Sequence, residues 1–454
     1  MRRLRLAIEV AFVAVLLWVL GSAAFRAGSV PPSTGAEELA QVVSVLRGLE
    51  HDIERGDALQ RMQRMFPEGA CFTLTLYGVS WANVAEHPAV DDALKKEAIA
   101  RLSYAVEHVT KSPAVDPFTD TQVRLGVFWL GQRNLLLARL LRVMPEQERP
   151  EHLVTEFHEN SQQLADSFLA SPHRHLDSYE GMVWPADNVT ALLSIVLHDR
   201  LYGTDHRRAY QEWKQWTLDH LHPETGLMGG RLNSSTGALI EPARGSGNSW
   251  ITTLLAEIDP EFAKELYSRY RKHFAIERLD FLMFREWPEG VARGEDIDSG
   301  PIIWDAGVTA TGVGLAAARA NGDAEMASDI HALSELLGWP TTRGDQTRYV
   351  FGRLPVGDAF LAFGKSTRAS IAPNESFRLR PKCHGMLAVP ILALLVVGVR
   401  GRTARSASKS SNRDGSSDPP PPPSSPGGGA GGAGDGAGGA GGAGPGGGSA
   451  TTQA

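Results

Sequence analysis

Acidic, basic and aromatic side chains that could do chemistry are concentrated in three segments without helical periodicity, 171–188, 222–248 and 285–305. Each segment ends where an apolar helical pattern begins. When two carboxyl groups share a partly desolvated cleft, the pKa of one of them is raised. That group can then donate a proton while the other acts as an ionised base. The candidate residues, in chain order, are Tyr179, Glu180, Trp184, Asp187, Asn188, Arg244, Asn248, Asp298, Trp304 and Asp305.

The catalytic candidates are three carboxylates. We expect Asp187 and Asp298 to act as acid and base, in an order that the sequence does not assign, with Glu180 as an alternate. Each has a structural alternative: Asp187 can cap the helix that follows it, and Asp298 can close a turn through its own backbone.

The binding candidates are aromatic, amide and charged residues of the same segments. Tyr179, Trp184 and Trp304 offer flat faces for a sugar ring or an isoprenoid body. Arg244, in "ARGSGNSW", is suited to bind a carboxylate or phosphate, or alternatively to pin its loop with a salt bridge. The remaining binding candidates are Asn188, Asn248 and Asp305, of which Asp305 can alternatively be an N-cap.

Composition argues against several other classes of function. The net charge is -7 and no basic stripe is interleaved with aromatics, so nucleic acid is not an expected partner. The two cysteines, Cys71 and Cys383, provide neither a disulfide framework nor a zinc site. His173 and His175 lack a third ligand at a recognisable spacing, and we therefore expect neither a metal nor a cofactor.

Helical periodicity dominates the chain between residues 36 and 337. Three helix pairs stand out, at 189–201 with 206–221, 249–257 with 260–274, and 306–320 with 323–337. In each pair the first helix is apolar all round and the second is amphipathic, which is typical of an inner helix covered by an outer one. The pattern predicts an all-α fold, an α/α toroid of five to seven hairpins, with a small C-terminal β-hairpin at 348–367.

Two apolar segments flank this region. They predict an N-terminal transmembrane anchor within 1–29, with a cleaved signal peptide as the alternative, and a second transmembrane helix at 383–400. The arginines outside both segments predict cytoplasmic termini and a periplasmic or extracellular toroid domain at 30–380. Residues 401–454, rich in Pro and Gly, predict a disordered cytoplasmic tail.

The motifs "YEGMVWPADN", "ARGSGNSW" and "DIDSGPIIWDAG" before apolar helices resemble the six-hairpin α/α-toroid enzymes, among them glycoside hydrolases, polysaccharide lyases and sugar epimerases. The layout also resembles the linalool dehydratase/isomerase family, in which an aromatic-Pro-x-x-Asn loop precedes an inner helix. That resemblance implies catalytic cysteines in such loops, whereas this sequence has Ala186 within "WPADN".

Three functions follow as hypotheses. The first is a membrane-tethered enzyme that acts on a glycan or related polyhydroxylated substrate by carboxylate acid/base catalysis, as a hydrolase, lyase or epimerase. The second is a linalool dehydratase/isomerase-like enzyme for an apolar alcohol, which would have a narrow, apolar pocket. The third is a non-catalytic envelope scaffold that binds a partner or glycan. Expected partners are thus a small molecule or glycan and the membrane.

Overall fold

A computed structural model describes residues 35–370, apart from 279, 292 and 298. Farther toward the N-terminus it also describes the isolated positions Ile8, Ala11, Phe12, Ala14, Val15 and Gly21. The described residues are mostly helical, with 13 α-helices and several small antiparallel sheets. The mostly helical fold class expected from the periodicity is confirmed.

The helices span α1 Ala36–Glu54, α2 Ala58–Met65, α3 Gly69–Ala85, α4 Asp92–His108, α5 Gly126–Val143, α6 Glu151–Ala170, α7 Pro185–Tyr202, α8 Arg207–Asp219, α9 Gly245–Ile258, α10 Pro260–Phe274, α11 Val308–Ala320, α12 Ala324–Leu337 and α13 Pro355–Ser366.

Six of these helices close a ring. In order around it, α3, α5, α7, α9, α11 and α13 each pack against the next, and α13 packs against α3. Their side chains are buried on nearly every face, because each lies between two ring neighbours and an outer element. Helices that are apolar all round are the ones that can occupy such positions.

The other long helices cover the ring from outside. Helix α4 packs on α3 and α5, α6 on α5 and α7, α8 on α6 and α7, α10 on α9, α12 on α11, and α1 on α13 and α3. Each buries a single stripe, as in α8, where Ala209, Trp213 and Thr217 are buried. The predicted inner and outer members of the three helix pairs are therefore assigned correctly.

The sequence patterns misassigned two ring helices. Helix α3 was not predicted, because its fifteen buried residues leave no polar face to give a 3.6-residue period. The predicted hairpin at 348–367 is wrong, since 355–366 forms α13 with Pro355 in its first turn. A hairpin does occur just before it, at residues 341–348.

The strands are short and lie in the connections between helices. They are β1 Met182–Val183, β2 Arg231–Asn233, β3 Leu239–Glu241, β4 Ala275–Arg278, β5 Phe281–Phe284, β6 Ile302–Ile303, β7 Ala306–Gly307, β8 Thr341–Arg343 and β9 Gln346–Arg348. Strands β1, β2 and β3 form one antiparallel sheet, and the others pair as hairpins.

The predicted membrane location requires correction. Among the described residues, every helix falls short of the length and apolarity needed to cross a bilayer. The segments on which the prediction depended, 1–29 and 383–400, lie outside the described residues except for the isolated positions given above, and so does the predicted tail at 401–454.

Candidate active site

The N-terminal ends of the six ring helices converge on one cavity of about 1460 Å³. Every ring helix contributes at least one lining residue from its first turns or from the position just before it. Examples, one from each helix in ring order, are Glu68, Phe128, Asp187, Ser246, Thr309 and Val356. Because helix N-termini carry partial positive charge, the ring favours carboxylates at this end of the cavity.

Most of the lining is apolar. Phe72 and Trp250 contact each other edge to face, with ring centroids 5.2 Å apart, and both line the cavity. Phe281, Met283 and Ile303 extend the apolar wall toward the mouth. A lining of this kind, with a few polar groups at fixed places, is typical of sites for apolar small molecules.

One polar group in the wall is formed by Glu68, Tyr179 and Asp187, here called the carboxylate–tyrosine cluster. The Tyr179 hydroxyl donates to Glu68 Oε1, and Ser178 Oγ donates to Asp187 Oδ2 at 2.6 Å. All three cluster members line the cavity and are half-buried. The cluster therefore places two carboxyl groups and a phenol beside an apolar space.

The environment of Tyr179 keeps its hydroxyl protonated. Burial raises the pKa of Tyr179 well above its usual range, and the nearby Glu68 and Asp187 carboxylates raise it further. Its ring stacks on Phe118 at 5.6 Å and meets Trp184 edge to face at 6.0 Å. Tyr179 is thus held in place as a hydrogen-bond donor.

The predicted anion-binding role of Arg244 has no support, because two carboxylates already neutralise its charge. Its Nε donates to Glu286 Oε1 at 2.7 Å and its Nη2 donates to Asp296 Oδ1 at 2.8 Å. Burial alone would lower the pKa of Arg244, but the Glu286 carboxylate reverses this and raises the pKa. Arg244 lines the cavity, but its side chain forms salt bridges with Glu286 and Asp296 that hold the loop in place.

Asn188 and Asn248 are fully buried and hold the backbone at the starts of α7 and α9. Asn188 Nδ2 donates to the carbonyl oxygens of Leu176 and Trp184. In the same way, Asn248 Nδ2 donates to those of Met228 and Arg244. Neither asparagine lines the cavity, so the geometry assigns them to the loops and not to the substrate.

Three further candidates lie in exposed turns or outside the described residues. Glu180 is exposed in a turn and is absent from the cavity wall. Asp305 is not an N-cap: α11 begins at Val308, and Asp305 lies in the β6–β7 turn, paired with Arg278 at 3.0 Å. Asp298 lies outside the described residues.

Trp304 is a further candidate that lines the cavity. It occupies the β6–β7 turn beside Asp305, and its side chain is exposed. Both turn residues have positive φ, 51° and 70°, as a tight two-residue hairpin turn requires.

Glu68 and Asp358 line the cavity but were not predicted from the sequence. Glu68 precedes the unpredicted helix α3, so no pattern marked it as the entry to a ring helix. Asp358 belongs to the first turn of α13, where a hairpin was predicted. It is buried in the cavity wall, where burial raises its pKa to about 8.

A group of three side chains in the described region could hold a metal ion, but it is remote from the cavity. His198, Asp199 and His206 offer ligand atoms within 4.8 Å of one another. His198 lies eleven positions after Asp187 on α7, a rise of about 16 Å. His198 already bonds His158 and Thr204, and His206 Nδ1 bonds Asp199 at 2.6 Å.

The histidines considered from sequence have internal partners as well. His173 Nε2 bonds the Ser234 carbonyl at 2.7 Å, and the imidazole of His175 bonds Trp213 Nε1 at 3.1 Å. Burial lowers the pKa of His175 to about 3, so its ring is neutral.

Residues 181–349 match the family model described as linalool dehydratase/isomerase. The matched segment contains Trp184, Asp187, Arg244 and Trp304, and its first ring helix, α7, supplies part of the cavity wall. The resemblance inferred from the three loop motifs is thereby confirmed. Residues 181–349 are thus similar to the linalool dehydratase/isomerase family.

Proposed function

We propose that the closed helical ring is an α/α toroid and that its cavity binds an apolar alcohol, whose hydroxyl group is removed or moved by acid/base catalysis. The observation that carries this proposal is the apolar cavity wall interrupted by the carboxylate–tyrosine cluster. The family match over 181–349 supports the same class of chemistry.

The apolar wall favours an alcohol over a glycan. Each hydroxyl of a buried sugar needs a hydrogen-bond partner, and an unpaired one costs about 1–3 kcal/mol. Phe72, Phe128, Trp250 and Phe281 offer no such partners where they line the space. An apolar chain, in contrast, is stabilised there by about 25 cal/mol per Å² of surface removed from water.

Dehydration needs one proton donor and one proton acceptor. A proton passes to the hydroxyl oxygen, the C–O bond breaks, and its electron pair leaves with water. A base removes a proton from the adjacent carbon, whose C–H electron pair forms the double bond. In isomerisation, water adds back at another carbon of the same allylic system and releases a proton.

We assign the proton transfers to the carboxylate–tyrosine cluster. Asp187 accepts the proton from carbon, with Ser178 Oγ holding its carboxylate in position. Glu68 provides the proton for the departing hydroxyl, and the Tyr179 hydroxyl, which donates to Glu68 Oε1, holds that carboxyl group in position. Within the described residues the proposed steps use no thiol, because Cys71 is fully buried in α3 and burial raises its pKa.

The test compares Asp187→Asn with Asp166→Asn in the full-length protein. Asp166 is an exposed aspartate on α6, outside the cavity wall, and serves as the matched control. Loss of a positioned acid or base costs about 10²–10⁴-fold in rate. We expect Asp187→Asn to fold normally and to lose at least 100-fold in kcat on linalool or geraniol, while Asp166→Asn retains full turnover. Full turnover by Asp187→Asn would refute the assignment.

A further inference from the structure

Gly312 lies on the cavity-facing side of ring helix α11, with open space beside it. A Cβ atom built there has no heavy atom within 4 Å, and the residue lines the cavity. Two residues along the same helix, Gly314 is different: its Cβ would lie 2.5 Å from Phe284. Close packing therefore explains the glycine at 314 but not the one at 312.

Nor does the backbone require glycine at this position. Gly312 is in the middle of a regular helix and is not among the glycines with positive φ. A glycine in a helix interior costs about 0.5–1 kcal/mol relative to alanine. The physical effect of Gly312 is to keep that part of the cavity open.

The cavity is larger than a ten-carbon alcohol needs. Pockets for drug-sized ligands have volumes of about 300–1,000 Å³, whereas this one has about 1460 Å³. A short alcohol would leave part of the apolar wall in contact with water.

Apolar side chains also continue from the wall to the outer surface. They lie in the loop before α11, at the start of α11, at the end of α12 and shortly after β9, and they form an apolar rim. The exposed members that also line the cavity are Ile297, Ile303, Trp304, Val308, Leu337 and Val350. Exposed apolar groups clustered around a cavity indicate contact with an apolar ligand.

We propose that the substrate is a linear apolar alcohol of about 15–20 carbons, and that Gly312 is the specificity-determining residue that admits its chain. This inference rests on the proposed function, because it places the reacting hydroxyl at the carboxylate–tyrosine cluster. The chain then runs across the cavity, past α9 and Gly312, toward the apolar rim.

The test measures binding and not turnover. The probes are geraniol, farnesol and geranylgeraniol, linear isoprenoid alcohols of 10, 15 and 20 carbons, titrated into the full-length protein while tryptophan fluorescence is followed. Trp184, Trp250 and Trp304 line the cavity and report its occupancy. The variants are Gly312→Phe, which fills the space, and Gly312→Ala, which fills little of it. The control is Gly35→Phe, at an exposed glycine before α1.

We expect the wild-type Kd to fall at least tenfold from geraniol to geranylgeraniol. Gly312→Phe should raise the Kd of geranylgeraniol at least tenfold and change that of geraniol less than twofold, and Gly35→Phe should change neither. If the wild type binds geraniol as tightly as the longer alcohols, or if Gly312→Phe leaves the length dependence intact, the inference is wrong and the proposed function stands. If none of the three alcohols binds, the proposed function itself fails.

Discussion

Asp187, the third residue of α7, illustrates how a cap position becomes a candidate catalytic one. The neighbouring Asn188 holds the preceding loop, because its side chain donates hydrogen bonds to the Leu176 and Trp184 carbonyl oxygens. Asp187 lines the cavity and accepts a hydrogen bond from Ser178 Oγ. Tyr179, Trp184, Asp187 and Trp304 were candidates from the sequence and all line the cavity, because polar and aromatic residues just before a buried helix lie at its N-terminal end.

Other residues of the site could not be identified in this way. Glu68 is the only charged residue between Arg64 and Glu86, and the helix after it shows no 3.6-residue alternation of apolar and polar residues. The neutralisation of Arg244 depends on Glu286, 42 positions away in the chain, and local sequence does not show that contact.

At the residue scale, removal of the Tyr179 hydroxyl should reduce the rate and leave the fold intact. We expect Tyr179→Phe to lower kcat by about 10²-fold, because the Glu68 carboxyl group loses the hydrogen bond that positions it and a positioned proton donor contributes about that much. The control is Tyr210→Phe, since the Tyr210 hydroxyl also donates to a carboxylate, that of Asp259 at 3.0 Å, but lies outside the cavity wall. Equal kcat values for the two variants would remove Tyr179 from the mechanism.

At the scale of elements, the inner and outer helices were predictable where a helix that is apolar all round is followed, after a short connection, by an amphipathic one. The pairs α7 with α8, α9 with α10 and α11 with α12 follow this pattern. Helices α3 and α13 were missed because packing, and not local periodicity, decides their conformation. In α13 the Pro-Val-Gly-Asp sequence suits a turn, yet Pro355 also suits the first turn of a helix that can be buried between α3, α11 and α1.

Titration of Asp358, in the first turn of α13, makes the free energy of unfolding depend on pH. Its Oδ1 accepts from the Tyr349 backbone N–H at 2.9 Å, and burial raises its pKa to about 8. Asp52 raises this pKa further, whereas Arg348 and Lys365 lower it. Because the pKa is higher in the folded than in the unfolded protein, this group makes folding less favourable as pH rises from about 4 to 8.

We expect Asp358→Asn to remove this pH dependence while retaining the Oδ1 acceptor for Tyr349. The variant should match the wild type in stability near pH 4, and its advantage should grow by up to about 1.4 kcal/mol per pH unit until about pH 8. Urea unfolding at intervals between pH 5 and pH 9 measures this difference. A constant difference across that range would show that Asp358 does not titrate as described.

At the scale of the whole molecule, ring closure brings loops together that are far apart in the sequence. The N-terminal ends of α3 and α13 are separated by nearly the entire described chain, yet both face the same cavity. The sequence predicted this convergence through the alternation of buried and amphipathic helices. The polar residues of the loops suggested a polar site, and an apolar pocket was expected only for the dehydratase/isomerase hypothesis. The wall is apolar because the ring helices, β5 and α12 also line the cavity, with Phe72, Trp250, Phe281 and Leu333 among the apolar residues.

The central claim is that an apolar alcohol lies in this cavity with its hydroxyl group at the carboxylate–tyrosine cluster. The most direct measurement is a crystal structure of the protein with farnesol bound. We expect the farnesol oxygen within hydrogen-bond distance of Asp187, Tyr179 or Glu68, and its chain along Trp250 and Gly312. Farnesol bound with its hydroxyl directed to the apolar rim, or bound outside the ring, would show that the alcohol site is not the one proposed.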